Sequence, residues 1–413
     1  MVTRTDLGKV LSAAGASPQT AADLTDLHIS SKVIRCDQYN GVPAVFVASE
    51  KKEDDIRNAV VDAVHWLVHK HPNERKLAVH VPDDVPEKVA HALATMAASC
   101  QGFDVDVRFY NIVAKRVVPS NRTCSSPVIA PMSRVRDWAK ALASRPTAVP
   151  SPAAELGAML QASVPAFRWY RNVTSGFWSG RVGGWQVCTQ TDHGATIRYG
   201  ATDADRRKNV PVALTSISRA ARWVESFATR RANPKTPEGG RKKEHLLESA
   251  VWRGPAVVPV QPLGIPSPLE PIVPSHEPPL QVPALYSSEA DAPARFVDAV
   301  MKNGKMPWAV ELKVDTGGQG QYYRHAITQA VLYREFLLQA TYLHNWFRCL
   351  DLEPNEFRAA VVFPKLKGTE NHRTRLLGQV RKTGDCFDVD VVELQDPWPV
   401  LHKMCMASAR LSR

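Results

Sequence analysis

Three charged side chains stand close together in an otherwise apolar stretch of this chain: Asp298, and then Glu311 and Lys313 two residues apart. Two carboxylates that reach a common point can hold a divalent cation, because Mg2+ takes oxygen ligands at about 2.0 to 2.1 Å and keeps several of its waters. A main-chain carbonyl, here that of Leu312, would complete the protein's share of such a shell. An ammonium beside the ion can position a water or neutralise charge that builds on phosphorus. The chemistry that suits this set is phosphodiester hydrolysis.

The elements that must position these groups are two strands. Apolar runs at 296–301 and 307–314 flank Lys302-Asn303-Gly304-Lys305, and Asn-Gly between alternating hydrophobics is the strongest short-range sign of a hairpin. With Asn303 and Gly304 as the turn residues, Met301 opposes Met306, Ala299 opposes Trp308 and Asp298 opposes Ala309. Side chains alternate between the faces of a strand. Val297, Ala299, Met301, Trp308, Val310, Leu312 and Val314 then share one face, while Asp298, Glu311 and Lys313 share the other. Glu311 is diagonal to Asp298, with β-carbons roughly 7 to 8 Å apart. The plain alternative is an amphipathic hairpin whose polar face meets water and whose Glu311 and Lys313 form a surface ion pair.

An Asp on one strand followed by Glu-x-Lys on the next resembles the PD-(D/E)XK nuclease superfamily, although Val297 stands where a Pro often precedes the Asp. A helix read over 322–336 puts Gln329 and Tyr333 one turn apart, and this pair resembles an additional motif of the RecB-like branch. Residues 244–251 look like the helix that supplies the superfamily's first acid; Glu248 is the choice for that role and Glu244 the rival. These motifs run from about residue 244 to 340. The resemblance implies a restriction-endonuclease-like αβββαβ core with a mixed sheet. It also implies catalysis by Glu248, Asp298, Glu311, Lys313, Gln329 and Tyr333, a Mg2+ ion (or Mn2+ in its place) on Asp298, Glu311 and Leu312, and DNA as substrate. Folds outlive their chemistry, so a catalytically silent nuclease-fold module for nucleic-acid binding or assembly is the competing reading.

A chain of 413 residues exceeds what one ordinary core serves. The segments 44–48, 76–81 and 103–110 read as strands and 54–69 and 87–100 as helices, which makes residues 1–120 an α/β domain. Residues 121–160, rich in Pro, Ser and Ala, read as a linker with a helix near 135–142. Short glycine-broken strands over 167–200 and a helix over 212–231 make 161–235 an α+β module. The nuclease-like domain takes 236–413, with further strands at 358–363 and 386–394. No internal repeat is evident. His65 and His69, one turn apart, fall on the polar face of their helix and read as ordinary surface residues.

Lys and Arg number 52 against 41 Asp and Glu, a formal charge of +11, which favours a polyanionic partner. Arg230, Arg231, Lys235, Arg241, Lys242 and Lys243, just before the helix that carries Glu248, are the candidates for phosphate contact. Trp169, Arg171, Trp178, Arg181 and Trp185 interleave aromatics with arginine, as base-stacking surfaces and small β cores both do. Seven scattered cysteines without a Cys-x-x-Cys pair, and the lack of an apolar run of spanning length, lead to the expectation of a soluble cytoplasmic protein. The N-terminal domain is expected to serve as a sensor or as a contact for a partner protein or a second copy, a layout that resembles prokaryotic defence or repair systems.

Overall fold

The computed structural model describes residues 3–19, 33–48, 50, 52–123, 135–140, 149–171, 177–183, 185–191, 196–200, 212–213, 217–231, 240–272, 282–284, 295–314, 320–366 and 368–395. Their strands make three five-stranded sheets and one two-stranded sheet among helices, a mixed α/β architecture.

The first unit comprises α1 (Arg4–Ala13), β1 (Val33–Tyr39), β2 (Val42–Val47), α2 (Glu53–Arg57), α3 (Ala59–Lys70), β3 (Lys76–Pro82), α4 (Glu87–Ala98), β4 (Asp104–Val113) and β5 (Arg116–Pro119). Its sheet follows chain order; β1 and β2 pair antiparallel, and β3 and β4 add in parallel through the helical crossovers. The single helix read over 54–69 is two, because α2 ends at Asn58, whose side-chain amide donates to the Asp54 carbonyl at 2.8 Å. α3 has no polar face: every residue from Ala59 to Val68 is buried. The expectation of surface histidines therefore fails at His65, which bonds Thr383 Oγ1 at 2.7 Å, and His69 reaches the Gln379 carbonyl at 3.3 Å. A face that reads as polar is here a contact with a segment some 310 residues away in sequence.

The second unit holds α5 (Ser151–Ser163), β6 (Phe167–Arg171), β7 (Phe177–Val182), β8 (Trp185–Thr191), β9 (Thr196–Tyr199), β10 (Val212–Ala213) and α6 (Ile217–Arg231). All its strand pairs are antiparallel. Residues of α5, read as linker, lie in its core: Ala153, Leu156 and Leu160 pack with Trp169, Trp178 and Val224. Burial of both tryptophans decides for core packing over base stacking at those two positions. The short helix at 135–140 docks on the third unit through Val135 and Trp138.

The third unit is formed by α7 (Gly240–Val251), β11 (Glu270–Pro271), β12 (Val282–Ala284), β13 (Arg295–Val297), β14 (Ala299–Asn303), β15 (Met306–Leu312), α8 (Gly320–Gln339), α9 (Thr341–Cys349), β16 (Arg358–Pro364), α10 (Glu370–Asp385) and β17 (Val389–Leu394). Its sheet runs β11-β14-β15-β16-β17. The β11–β14 and β14–β15 pairs are antiparallel, and β15, β16 and β17 are parallel. Leu246, Leu247, Ala250 and Val251 of α7 seal one face, and α8 lies on the other. Full burial of such aliphatic side chains contributes about 1.5–3 kcal/mol each, which fixes both helices against β15. The outer side of α8 and α10 is not exposed either: one continuous core joins Ala326, Ile327, Ala330 and Val361 to Val45, Val60, Val64 and Leu93 of the first unit.

Candidate active site

β14 and β15 pair with Asn303 opposite Met306, Met301 opposite Trp308 and Ala299 opposite Val310. The two turn residues are thus Gly304 and Lys305 rather than Asn303 and Gly304. Gly304 has a φ of 58° at the first central position, where a type II′ hairpin needs glycine. Asn303, outside the turn, donates to the carbonyl and hydroxyl oxygens of Ser267 at 3.2 and 3.0 Å. The register differs by two residues from the expected one, so strand faces are kept, and continued one step past the Ala299–Val310 pair it sets Asp298 across from Glu311 instead of diagonal to it. Val297 alone leaves its expected face. A bend at Asp298 ends β13 there; Val297 pairs with Val282 in the small sheet and packs with Val300, Ala309 and Phe336, on the side away from Ala299 and Met301.

Glu311 is 1% exposed and Lys313 8% exposed, which rules out a surface ion pair. The Lys313 ammonium donates to Glu311 Oε1 and lies 3.8 Å from a Glu244 oxygen. Asp298 Oδ2 accepts the Leu312 amide at 2.8 Å, while its carbonyl accepts the Trp252 indole N–H, also at 2.8 Å. Glu248, buried on α7, acts electrostatically on Asp298; the rival Glu244 is the acid that approaches Lys313. Both belong to the site, from one helix. Glu311 and Lys313 mark the carboxyl end of β15, the end at which open α/β sheets place their ligands.

Burial, the charge of Glu311 and the charge of Glu248 push the Asp298 carboxyl well above its ordinary pKa, against the pull of Lys313 and the Leu312 amide. Burial disfavours the Lys313 ammonium, yet Glu311, Asp298 and Glu244 outweigh it and hold the lysine protonated above its ordinary value. Four acids, Asp298, Glu311, Glu248 and Glu244, thus surround one ammonium. Glu311 Oε2 is buried without a hydrogen-bond partner, an arrangement that ordinarily costs about 1–3 kcal/mol, and more for a charged group. A divalent cation fits this donor set in charge and in ligand type. As the side chains stand, no three His, Cys, Asp or Glu among the described residues gather around one point; the Lys313 ammonium is the cation between Glu311 and Glu244.

Of the other expected site residues, Gln329 lies half-buried on α8 and makes no side-chain hydrogen bond among the described residues. Tyr333 is a core residue beside Val300, Ala309 and Phe336. Arg230 and Arg231 end α6, and Arg241, Lys242 and Lys243 begin α7, but their side chains, and Lys235 altogether, lie outside the described residues. Sequence reasoning missed Tyr322 and Trp252. The Tyr322 ring centre is 5.8 Å from Lys313 Nζ, and burial raises its hydroxyl pKa while the Val314 main chain bonds to it. Trp252 links the site to the second unit through Tyr170, ring to ring at 5.0 Å. A helical count from Gln329 could have found Tyr322, two turns back on one stripe; nothing local marks Trp252.

No protein-family model, curated protein or solved structure matches the chain.

Proposed function

We propose that the chain is a Mg2+-dependent nuclease that hydrolyses phosphodiester bonds of DNA, with its site at the carboxyl end of β15. The observation that carries this reading is the unpartnered, buried Oε2 of Glu311 among Asp298, Glu248, Glu244 and Lys313. Apart from the small β12–β13 sheet and α9, the order α7, β11, β14, β15, α8, β16 supports it further, since an αβββαβ succession is what the motifs imply. The charge of +11 favours a polyanionic substrate.

Asp298 and Glu311, with the Leu312 carbonyl, would hold Mg2+ or Mn2+, and Glu248 completes the acidic set. The bound ion supplies polarisation of a phosphoryl oxygen and a more acidic water. Lys313, kept charged by its carboxylates, donates to the water or to an oxygen on which charge builds. The Leu312 amide fixes one oxygen of Asp298 and so aims the other. Gln329 and Tyr333 support the wall of α8, and the basic residues at the end of α6 and the start of α7 are assigned to backbone phosphates. Among the described residues no helix is long and apolar enough to cross a membrane. The five described cysteines form no disulfide, in keeping with a cytoplasmic setting.

The test is incubation with linear, circular and single-stranded DNA, with and without Mg2+, for the native chain and for Glu311→Ala and Lys313→Ala. Metal-dependent cleavage lost in both variants is expected. Cleavage that survives both substitutions would remove this mechanism. Binding of DNA without cleavage of any of the three would favour a silent binding module instead.

A further inference from the structure

The first and third units repeat one plan. Each opens with a helix that seals the outer face of its sheet, α1 through Leu7 and Leu11, α7 through Leu247 and Val251. Each continues with an antiparallel hairpin, a helical crossover to a parallel strand, and a second crossover to another. Strand registers coincide. Val45 pairs with Val79 as Glu311 pairs with Val361, and Leu77 pairs with Val105 as Ala359 pairs with Val389. On that register the pentapeptide Phe-Asp-Val-Asp-Val recurs unchanged at 103–107 and 387–391. The crossover helices also correspond: Ala59-Val-Val-Asp-Ala-Val-His-Trp66 matches Ala326-Ile-Thr-Gln-Ala-Val-Leu-Tyr333, with both Ala-Val pairs in the shared core. So few identities remain between the two units that the sequence alone shows no repeat.

The units also dock as copies dock. α3 corresponds to α8 and α4 to α10; α3 packs on α8, and the α3–α10 and α8–α4 contacts are one contact with the units exchanged. That reciprocity is the mark of an isologous, twofold interface. The chemistry does not repeat. Val45 stands for Glu311 and Val47 for Lys313, while Arg35, the partner of Val45, stands for Asp298. α1 offers no buried carboxylate, its single acid Asp6 being exposed. Asp62, in the place of Gln329, reaches across the interface instead and accepts from Arg324 Nε at 2.6 Å, and His325 Nε2 lies 3.1 Å away.

We propose that the first unit is a degenerate second copy of the site-bearing unit, docked in cis where the partner subunit of a dimer would sit, so that the chain works alone with one competent site and opens one DNA strand per encounter. The final clause rests on the nuclease reading; the docking does not.

The experiment uses the full chain in three measurements. Light scattering is expected to give a monomer of 45.6 kDa; a stable dimer would overturn the proposal whether or not DNA is cut. With supercoiled plasmid in excess and Mg2+ present, open circles should accumulate before linear DNA, and a tenfold excess of Glu311→Ala chain should leave the rate and products unchanged. Linear product without an open-circle stage, or a rate suppressed by the inactive chain, would overturn it. A monomer that cleaves no DNA would remove the nuclease reading and the strand-by-strand clause, and support the cis docking alone.

Discussion

Asp298 accepts the main-chain amide of Leu312 at 2.8 Å, so the acid on one strand is tied to the residue between Glu311 and Lys313 on the next. This bond takes one carboxylate oxygen for structure and holds the carboxyl within the field of Glu311. It also keeps the bend at Asp298 from drifting, which a ladder pair cannot do because β14 begins only at Ala299.

The Lys313 ammonium donates to Glu311 and lies 3.8 Å from a Glu244 oxygen. Lys313→Ala leaves the buried Glu311 carboxylate without its ammonium and is expected to cost about 3–5 kcal/mol of stability, besides lowering cleavage by about 10²–10³-fold. Denaturant melts with and without Mg2+ check this: the ion should return part of the lost stability in the variant and none in Glu311→Ala.

Asp298 carries the opposite expectation. Its folded-state pKa is raised by burial and by Glu311 and Glu248, so the metal-free protein binds its proton more tightly folded than unfolded. That contribution is complete below the unfolded value of about 3.9 and is lost as pH rises through the folded value. Asp298→Asn should therefore remove cleavage yet raise the metal-free Tm near neutral pH, by about 1–2 °C for each 1 kcal/mol relieved. A fall in Tm would refute the assignment.

Asp62 shifts downward: burial alone would raise its carboxyl pKa, but Arg324 and His325 outweigh it. Its stabilising effect is present above about pH 3.9 and fades as pH falls through the folded value. Asp62→Ala should cost about 3–5 kcal/mol at neutral pH, with the gap to the native chain narrowing in acid. Hydrogen exchange should show lost protection in both α3 and α8.

His80 stacks on Phe46 with ring centres 4.3 Å apart, and burial, aided by Arg108, lowers its pKa to about 4. The unfolded chain takes up this proton from about pH 6.5 downward, so stability falls between there and about pH 4. In His80→Phe that part of the slope should vanish, as urea melts across this range will show.

The hairpin was legible because alternation is local: the faces of Asp298, Glu311 and Lys313 follow from parity, which a two-residue error in register leaves intact. The turn type was not, since Asn-Gly can lie in either of two frames and Ser267 decides between them through Asn303. Val297 defeated the alternation because a bend intervenes. Burial of Glu311 and Lys313 was invisible for a different reason: the cover comes from α8 and, behind it, from α3, brought in by long-range packing. The same packing hid His65 and Asp62, whose partners Thr383 and Arg324 are 318 and 262 residues away.

The most direct test of the central claim is calorimetric titration of the metal-free chain with Mn2+, in native form and as Glu311→Gln. The account expects an ion bound by the native chain with release of protons from Asp298, and loss of that binding when Oε2 is replaced by an amide. Equal binding by both, or none by the native chain, would contradict it.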